Sequence, residues 1–118
     1  MDKDRLCALQ FGDLESVHNL IDKGNVNTAV AGRPPLVIAS DYGHIDVLEY
    51  LLDVGADVNQ LDKHGLTALA TAVYENHPRV VRILLNAGAD KNIRTPTGSK
   101  LEEAAETEEL REIILNHP

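Results

Sequence analysis

The sequence predicts an all-α fold, a solenoid of four stacked helix-turn-helix repeats joined by hairpin fingers. Three observations predict it. The segment GADVNQLDKHG begins at Gly55, and a related segment, GADKNIRTPTG, begins 33 residues later at Gly88. Apolar residues before each copy recur at spacings of three and four, as they do on one face of a helix. Glycines and prolines separate these stretches, where tight turns are needed.

The repetition extends over most of the chain. Gly32, Gly65 and Gly98 are spaced by 33 residues, and Leu36 returns as Leu69 at the same interval. A unit of two short helices cannot bury its apolar stripe alone, whereas stacked units bury one another's. We therefore predict one domain over residues 1–118, with two of its four repeats acting as caps. The predicted repeats span about 1–27, 28–60, 61–93 and 94–118.

The second helix of each repeat shows the clearest apolar stripe. Pro78 is expected at the start of the third such helix, where its missing N–H costs nothing. Gly24, Gly55 and Gly88 are expected to end these helices as C′ glycines. The stripes are Leu14, Val17, Leu20 and Ile21 in the first repeat, Ile45, Leu48, Leu51 and Leu52 in the second, and Val81, Leu84 and Leu85 in the third.

The last repeat is one residue shorter than the period. Ser99 matches Thr67 and Leu101 matches Leu69, each 32 residues apart. The pattern from Ser99 to Glu102 predicts a capping box at the start of its first helix.

Composition and charge limit the possible functions. Hydrophobic residues make up 43% and charged residues 25% of the chain, which is ordinary for a folded domain. The net charge of −8 argues against nucleic acid and anionic membranes, and it favours a partner with a basic face. The one cysteine, Cys7, excludes an internal disulfide and is interpreted as a small packing residue. The charged N-terminus does not resemble a signal peptide, so we expect a cytoplasmic protein, with the nucleus as a second location.

The chain carries no recognisable catalytic motif. Phosphate-binding, dinucleotide-binding and nucleophile-elbow patterns are missing from the sequence. His44 and His77 are spaced by the repeat period, so each is expected in its own turn rather than at a shared metal. We predict no enzyme activity, no cofactor and no metal.

Two segments carry a resemblance to a known family. TALATA at residues 67–72, and more weakly PPLVIA at 34–39, resemble the ankyrin signature T-P-L-H-x-A, although the usual histidine is missing from both. The Gly43-His44 turn and the LL..GAD.N endings also fit that family. In ankyrin repeat proteins, partners are usually held by the finger tips and by exposed residues just before the mid-repeat glycine. The resemblance therefore implies a protein-binding module.

Those positions define the candidate site. Three of the four aromatic residues fall just before the mid-repeat turns, although packing between neighbouring repeats is an alternative explanation for them. In the middle finger, Asp62 is expected to open a turn that Gly65 closes, which would present the tip rigidly. The predicted protein-binding residues are Phe11, Arg33, Asp41, Tyr42, Leu61, Lys63, His64, Leu66, Tyr74 and Glu75.

A closer resemblance is to the myotrophin family of small four-repeat ankyrin proteins. It rests on Gly12-Asp13-Leu14, Asp62-Lys63-His64, Tyr74-Glu75 with His77, and Gly88-Ala89-Asp90-Lys91. The chain departs from that family near Cys7, where the family has a bulky aromatic, and in a shorter first finger.

This resemblance implies a monomer that binds and sequesters the actin capping protein heterodimer, and so regulates growth at barbed filament ends. An ankyrin-type inhibitor of a cyclin-dependent kinase and an adaptor for Rel-type transcription factors are alternatives. An enzyme is disfavoured because no nucleophile–base pair can be identified.

Overall fold

Eight α-helices are present in the computed structural model, which describes residues 2–93 and 95–117. Arg94, inside the second copy of the repeated segment, and the terminal residues Met1 and Pro118 lie outside that description. The helices are α1 (Asp2–Phe11), α2 (Leu14–Leu20), α3 (Pro35–Tyr42), α4 (Ile45–Asp53), α5 (Ala68–Tyr74), α6 (Pro78–Asn86), α7 (Leu101–Ala104) and α8 (Glu108–Asn116).

The helices are arranged in successive pairs that stack along one direction. Helices α1 and α2, α3 and α4, α5 and α6, and α7 and α8 contact each other within pairs. The first helices of the pairs form one layer and the second helices another, because α1, α3, α5 and α7 contact in sequence, as do α2, α4, α6 and α8. The result is an elongated body of 38 × 24 × 21 Å, and the predicted all-α solenoid is confirmed.

The core is almost entirely aliphatic. Leu51 of α4 and Leu84 of α6 are both fully buried in the layer of second helices. Tyr50 packs against this core: its ring stacks on His18 at 4.1 Å and its hydroxyl donates to the Ile21 carbonyl at 2.7 Å. Within the described part of the chain, no helix has both the length and the apolar character needed to cross a membrane.

The helix ends agree only partly with the predicted glycines. Gly55 and Gly88 have φ values of 99° and 94° and follow the C-caps of α4 and α6, as predicted. The prediction for Gly24 is wrong, because α2 ends at Leu20 and Gly24 is outside the left-handed region. Instead, the Asn25 side-chain amide donates to the Leu20 carbonyl at 3.0 Å, so a polar side chain satisfies the helix end.

The predicted capping box at Ser99 is also wrong, by one residue. Helix α7 begins at Leu101 with Lys100 as the N-cap, and the Glu103 carboxylate accepts from the Lys100 N–H at 3.1 Å. Ser99 instead belongs to the last finger, where its carbonyl accepts from the Thr95 N–H at 2.9 Å. This hydrogen bond closes the last finger, so Ser99 lies before the N-cap of α7.

The repeated GAD.N segments form a ladder between successive loops. The Asn27 side-chain oxygen accepts from the Asp57 N–H at 2.8 Å, and the Asn59 oxygen accepts from the Asp90 N–H at the same distance. Each asparagine therefore satisfies a backbone donor of the following loop. This pairing gives a physical reason for the recurrence of Asn at the repeat period.

Asp13 caps the N-terminus of α2. Its carboxylate accepts from the Ser16 hydroxyl at 2.7 Å and from the Ser16 N–H at 3.3 Å. These hydrogen bonds, that of the hydroxyl first, lower the pKa of the Asp13 carboxyl from its ordinary value of 3.8. A lowered pKa in the folded state means that Asp13 stabilises the fold above its unfolded pKa, and that this stabilisation disappears as pH falls through the folded pKa.

Replacing Asp13 with asparagine should flatten this acid dependence. Asparagine keeps an oxygen that can cap α2 but does not titrate. We expect the free energy of unfolding of the parent to fall more steeply than that of Asp13→Asn below about pH 4, as measured by urea unfolding from about pH 6 to about pH 3. Parallel curves for the two proteins would show that the Asp13 cap does not contribute in this way.

Candidate protein-binding surface

The middle finger is held by the Asp62 side chain. Asp62 Oδ1 accepts from the His64 N–H at 2.8 Å and the Leu66 N–H at 3.0 Å. The Gly65 N–H donates back to the Asp62 carbonyl at 3.0 Å, and Gly65 has a φ of 77° that favours glycine. The turn predicted between Asp62 and Gly65 is therefore confirmed. At the tip, Leu61 is 55% exposed, and Lys63 and His64 are also exposed.

The C-terminal ends of α3 and α5 place aromatic side chains in solvent. Tyr42, the last residue of α3, is 45% exposed, and Tyr74, the last residue of α5, is 40% exposed. Glu75 follows Tyr74 and is exposed as well. Large apolar rings at such exposure are available to a partner, and tyrosine is enriched among the residues that dominate binding energy.

The two turn histidines join neighbouring helix pairs. A ring nitrogen of His44 lies 2.6 Å from the Gln10 carbonyl, and a ring nitrogen of His77 lies 2.9 Å from the Asp41 carbonyl. Each histidine therefore bonds to the preceding helix pair, which confirms their structural role. Among the residues that the structure describes, no three His, Cys, Asp or Glu side chains are grouped so that they could hold a metal.

Asp41, near the C-terminal end of α3, is the point where the helix ends and the middle finger meet. Its carboxylate accepts from an Arg33 guanidinium nitrogen at 3.0 Å. The same guanidinium places Nε 3.8 Å from Asp62 Oδ2 in the middle finger. The Asp41 carbonyl meanwhile receives His77 from the turn after α5. One residue thus connects the end of α3 to the finger on one side and, through His77, to the end of α5 on the other.

We call the surface around Asp41 the finger–groove surface. Its charges are partly compensated within the chain, since the Arg33 guanidinium lies between Asp41 and Asp62, and its exposed apolar contribution comes from the two tyrosines and Leu61. Its exposed members are Tyr42, Leu61, Lys63, His64, Tyr74 and Glu75, with Arg33 and Asp41 half-buried between them.

Two of the predicted binding residues do not contribute an exposed side chain to this surface. Phe11 is 79% exposed and lines a separate cleft of about 450 Å³ between α1 and α2 at the N-terminal end. The Leu66 side chain is partly buried against the core. Its carbonyl accepts a hydrogen bond from the Asp62 N–H of the same finger.

The prediction that Cys7 is a packing residue is wrong, because Cys7 is exposed and lines the N-terminal cleft. The equivalent residue of the next helix pair, Ile38, is fully buried in the stack. In the described part of the chain no helix pair covers this side of α1, so the same place on the helix is open to solvent.

A stack of short helix pairs with projecting turns defines the class of repeat proteins that bind partners over an extended face. A family profile described as ankyrin repeats (three copies) matches residues 6–95. The chain belongs to the ankyrin repeat family. Proteins of this family are generally non-catalytic protein-binding modules.

The chain is similar to parts of several larger proteins. It is 34% identical over 99 residues to mouse Ankyrin repeat and SAM domain-containing protein 6, covering 80% of this chain and 11% of that protein. It is 35% identical over 91 residues to glycerophosphocholine phosphodiesterase gde1 of Schizosaccharomyces pombe, covering 74% of this chain and 8% of that protein. It is 32% identical over 93 residues to human Protein phosphatase 1 regulatory subunit 27, covering 76% of this chain and 60% of that protein. The chain thus spans only part of each of these relatives.

Proposed function

We propose that this chain is a non-catalytic protein-binding module whose finger–groove surface binds actin capping protein and keeps it from the barbed ends of actin filaments. The observation that carries the binding role is the continuity of this surface around Asp41, which joins the finger and the two helix ends. The choice of partner rests on the resemblance to the myotrophin family at Lys63, His64, Tyr74 and Glu75.

The surface extends over more than one element of the fold. A stable complex buries roughly 800 Å² on each partner, which is more than a single finger can supply. Here the middle finger and the ends of α3 and α5 contribute together, and they combine exposed rings with charged side chains at the edge. This distribution resembles interfaces in which aromatic anchors are surrounded by polar residues. The proposal places the protein in the cytoplasm, where it would act as a monomer.

Titration of purified capping protein heterodimer with this protein tests the proposal directly. We expect saturable one-to-one binding, with an association rate that falls as salt rises from about 0.05 to about 0.3 M, because exposed charges are screened over about 10 Å at 0.1 M. The net charge of −8 is the reason to expect steering toward a basic face. No detectable binding at about 0.1 mM would rule out capping protein as the partner.

Each of the two alternative functions predicts a different binding partner. Recovery of a cyclin-dependent kinase from cytosol would favour the inhibitor role. Recovery of a Rel-type factor would favour the adaptor role and the nuclear location. In each case the exposed tyrosines of the finger–groove surface would remain the expected contact, because they do not depend on the identity of the partner.

A further inference from the structure

Arg33 was predicted as a partner contact, but its guanidinium is already engaged inside the chain. One terminal nitrogen donates to Asp41 Oδ2 at 3.0 Å, and Nε lies 3.8 Å from Asp62 Oδ2. The side chains of Arg33 and Asp41 are each about one quarter exposed, whereas that of Asp62 is 1% exposed. Arg33 therefore lies between the half-buried carboxylate of Asp41 at the end of α3 and the fully buried carboxylate of Asp62 in the middle finger.

The buried carboxylate is only half satisfied by hydrogen bonds. Asp62 Oδ1 accepts from two backbone N–H groups of its own finger. Asp62 Oδ2 is buried and has no hydrogen-bond partner among the residues that the structure describes, so the guanidinium 3.8 Å away supplies its counter-charge. A buried carboxylate that loses its compensating charge is strongly destabilised, because it has also lost water. The finger therefore depends on Arg33.

A second contact links the same two segments. The Lys63 N–H in the middle finger donates to the Gly32 carbonyl, next to Arg33, at 3.0 Å. Gly32 has a φ of 80°, and a Cβ at this position would lie 2.5 Å from the Lys63 Cδ. The backbone of the first finger thus approaches the middle finger closely at the residue that precedes Arg33.

We propose that Arg33 is the positioning residue of the finger–groove surface: it fixes the middle finger relative to the end of α3 by bridging Asp62 and Asp41. Its effect on partner binding rests on the proposed function, whereas its effect on the finger does not. Through this bridge, the exposed Lys63 and His64 are held in a fixed place relative to the end of α3.

Amide hydrogen exchange of the full chain tests this role without a partner. We expect Arg33→Gln to speed exchange at the amides of Lys63, His64 and Leu66 by about 10-fold, since these donors depend on the ordered finger. Exchange at the Thr71 amide within α5 should remain unchanged. The matched control is Arg79→Gln, which removes the same charge from an exposed position of α6 and should leave all of these amides as in the parent.

A second substitution distinguishes the bridge from a general loss of stability. Asp62→Asn keeps an oxygen acceptor for the two finger amides but removes the buried charge. Combined with Arg33→Gln, it should bring finger exchange back to within about threefold of the parent. Unchanged exchange in Arg33→Gln, faster exchange throughout the chain, or no recovery in the double variant would each overturn the proposal.

The same variants connect the bridge to binding. With capping protein, Arg33→Gln should bind about 10-fold more weakly than Arg79→Gln, and the double variant should bind weakly as well, because it still lacks the bridge from the finger to Asp41. Equal binding by Arg33→Gln and Arg79→Gln would contradict the positioning role. If the parent itself does not bind capping protein, the proposed function fails, while the exchange measurements still decide whether Arg33 orders the finger.

Discussion

Truncation of Leu84 or Leu51 to alanine should lower the free energy of unfolding by about 2–5 kcal/mol. Both side chains are fully buried, in α6 and α4 respectively, where the second helices of adjacent pairs contact each other. Alanine removes three carbon atoms and leaves a cavity that neighbouring helices fill only in part. Because a solenoid is stabilised by its nearest-neighbour interfaces, a defect in the middle of the stack weakens contacts on both sides.

Urea unfolding followed by circular dichroism measures this loss. The matched control is Leu115→Ala, which makes the same chemical change on the exposed face of α8 and should alter stability by no more than about 0.5 kcal/mol. A loss below about 0.5 kcal/mol for both Leu51→Ala and Leu84→Ala would mean that the stack is not held together by these leucines.

Truncation of Tyr74 to alanine should weaken partner binding by at least about 2 kcal/mol, which is a factor of about 30 in the dissociation constant. Tyr74 is 40% exposed at the end of α5, and His77 in the following turn contacts the Asp41 carbonyl at the centre of the finger–groove surface. A ring in this position can be fully desolvated by a partner, as binding hot spots usually are.

Two variants separate this effect from other causes. Tyr74→Phe keeps the ring and should bind much more tightly than Tyr74→Ala. The difference in affinity between the two variants measures the contribution of the apolar ring to binding. Asp53→Ala changes an exposed residue at the end of α4, outside the finger–groove surface, and should bind like the parent. If Tyr74→Ala binds as tightly as Asp53→Ala, Tyr74 is not an anchor.

The fold could be predicted because its main determinants are local and periodic. The spacing of apolar residues and the glycines at 55 and 88 identify the helices and their ends. The errors occur where a different local hydrogen bond replaces the expected one. Asn25 ends α2 in place of Gly24, and pairing with Thr95 draws Ser99 into the last finger. The predicted repeat boundaries remain a prediction.

The sequence predicts individual residues of the candidate site but not the contacts between them. The exposure of Tyr42 and Tyr74 follows from their place before the turns, which the repeat fixes. The bridge from Asp41 through Arg33 to Asp62 joins residues that are far apart in sequence, and its geometry depends on how two fingers approach each other. Residue spacing in the sequence does not predict such a contact. The positioning role proposed for Arg33 could therefore be inferred only from the structure.

Seeded actin elongation in the presence of capping protein measures whether this protein keeps capping protein from barbed ends. Capping protein alone should stop growth at barbed ends, and adding this protein should restore growth in proportion to its concentration. Tyr74→Ala should need about 30-fold more protein for the same effect, and Asp53→Ala should match the parent. Filament ends that stay fully capped at micromolar excess of the parent would contradict the proposed binding to capping protein. The kinase-inhibitor and transcription-factor functions would then be the remaining alternatives.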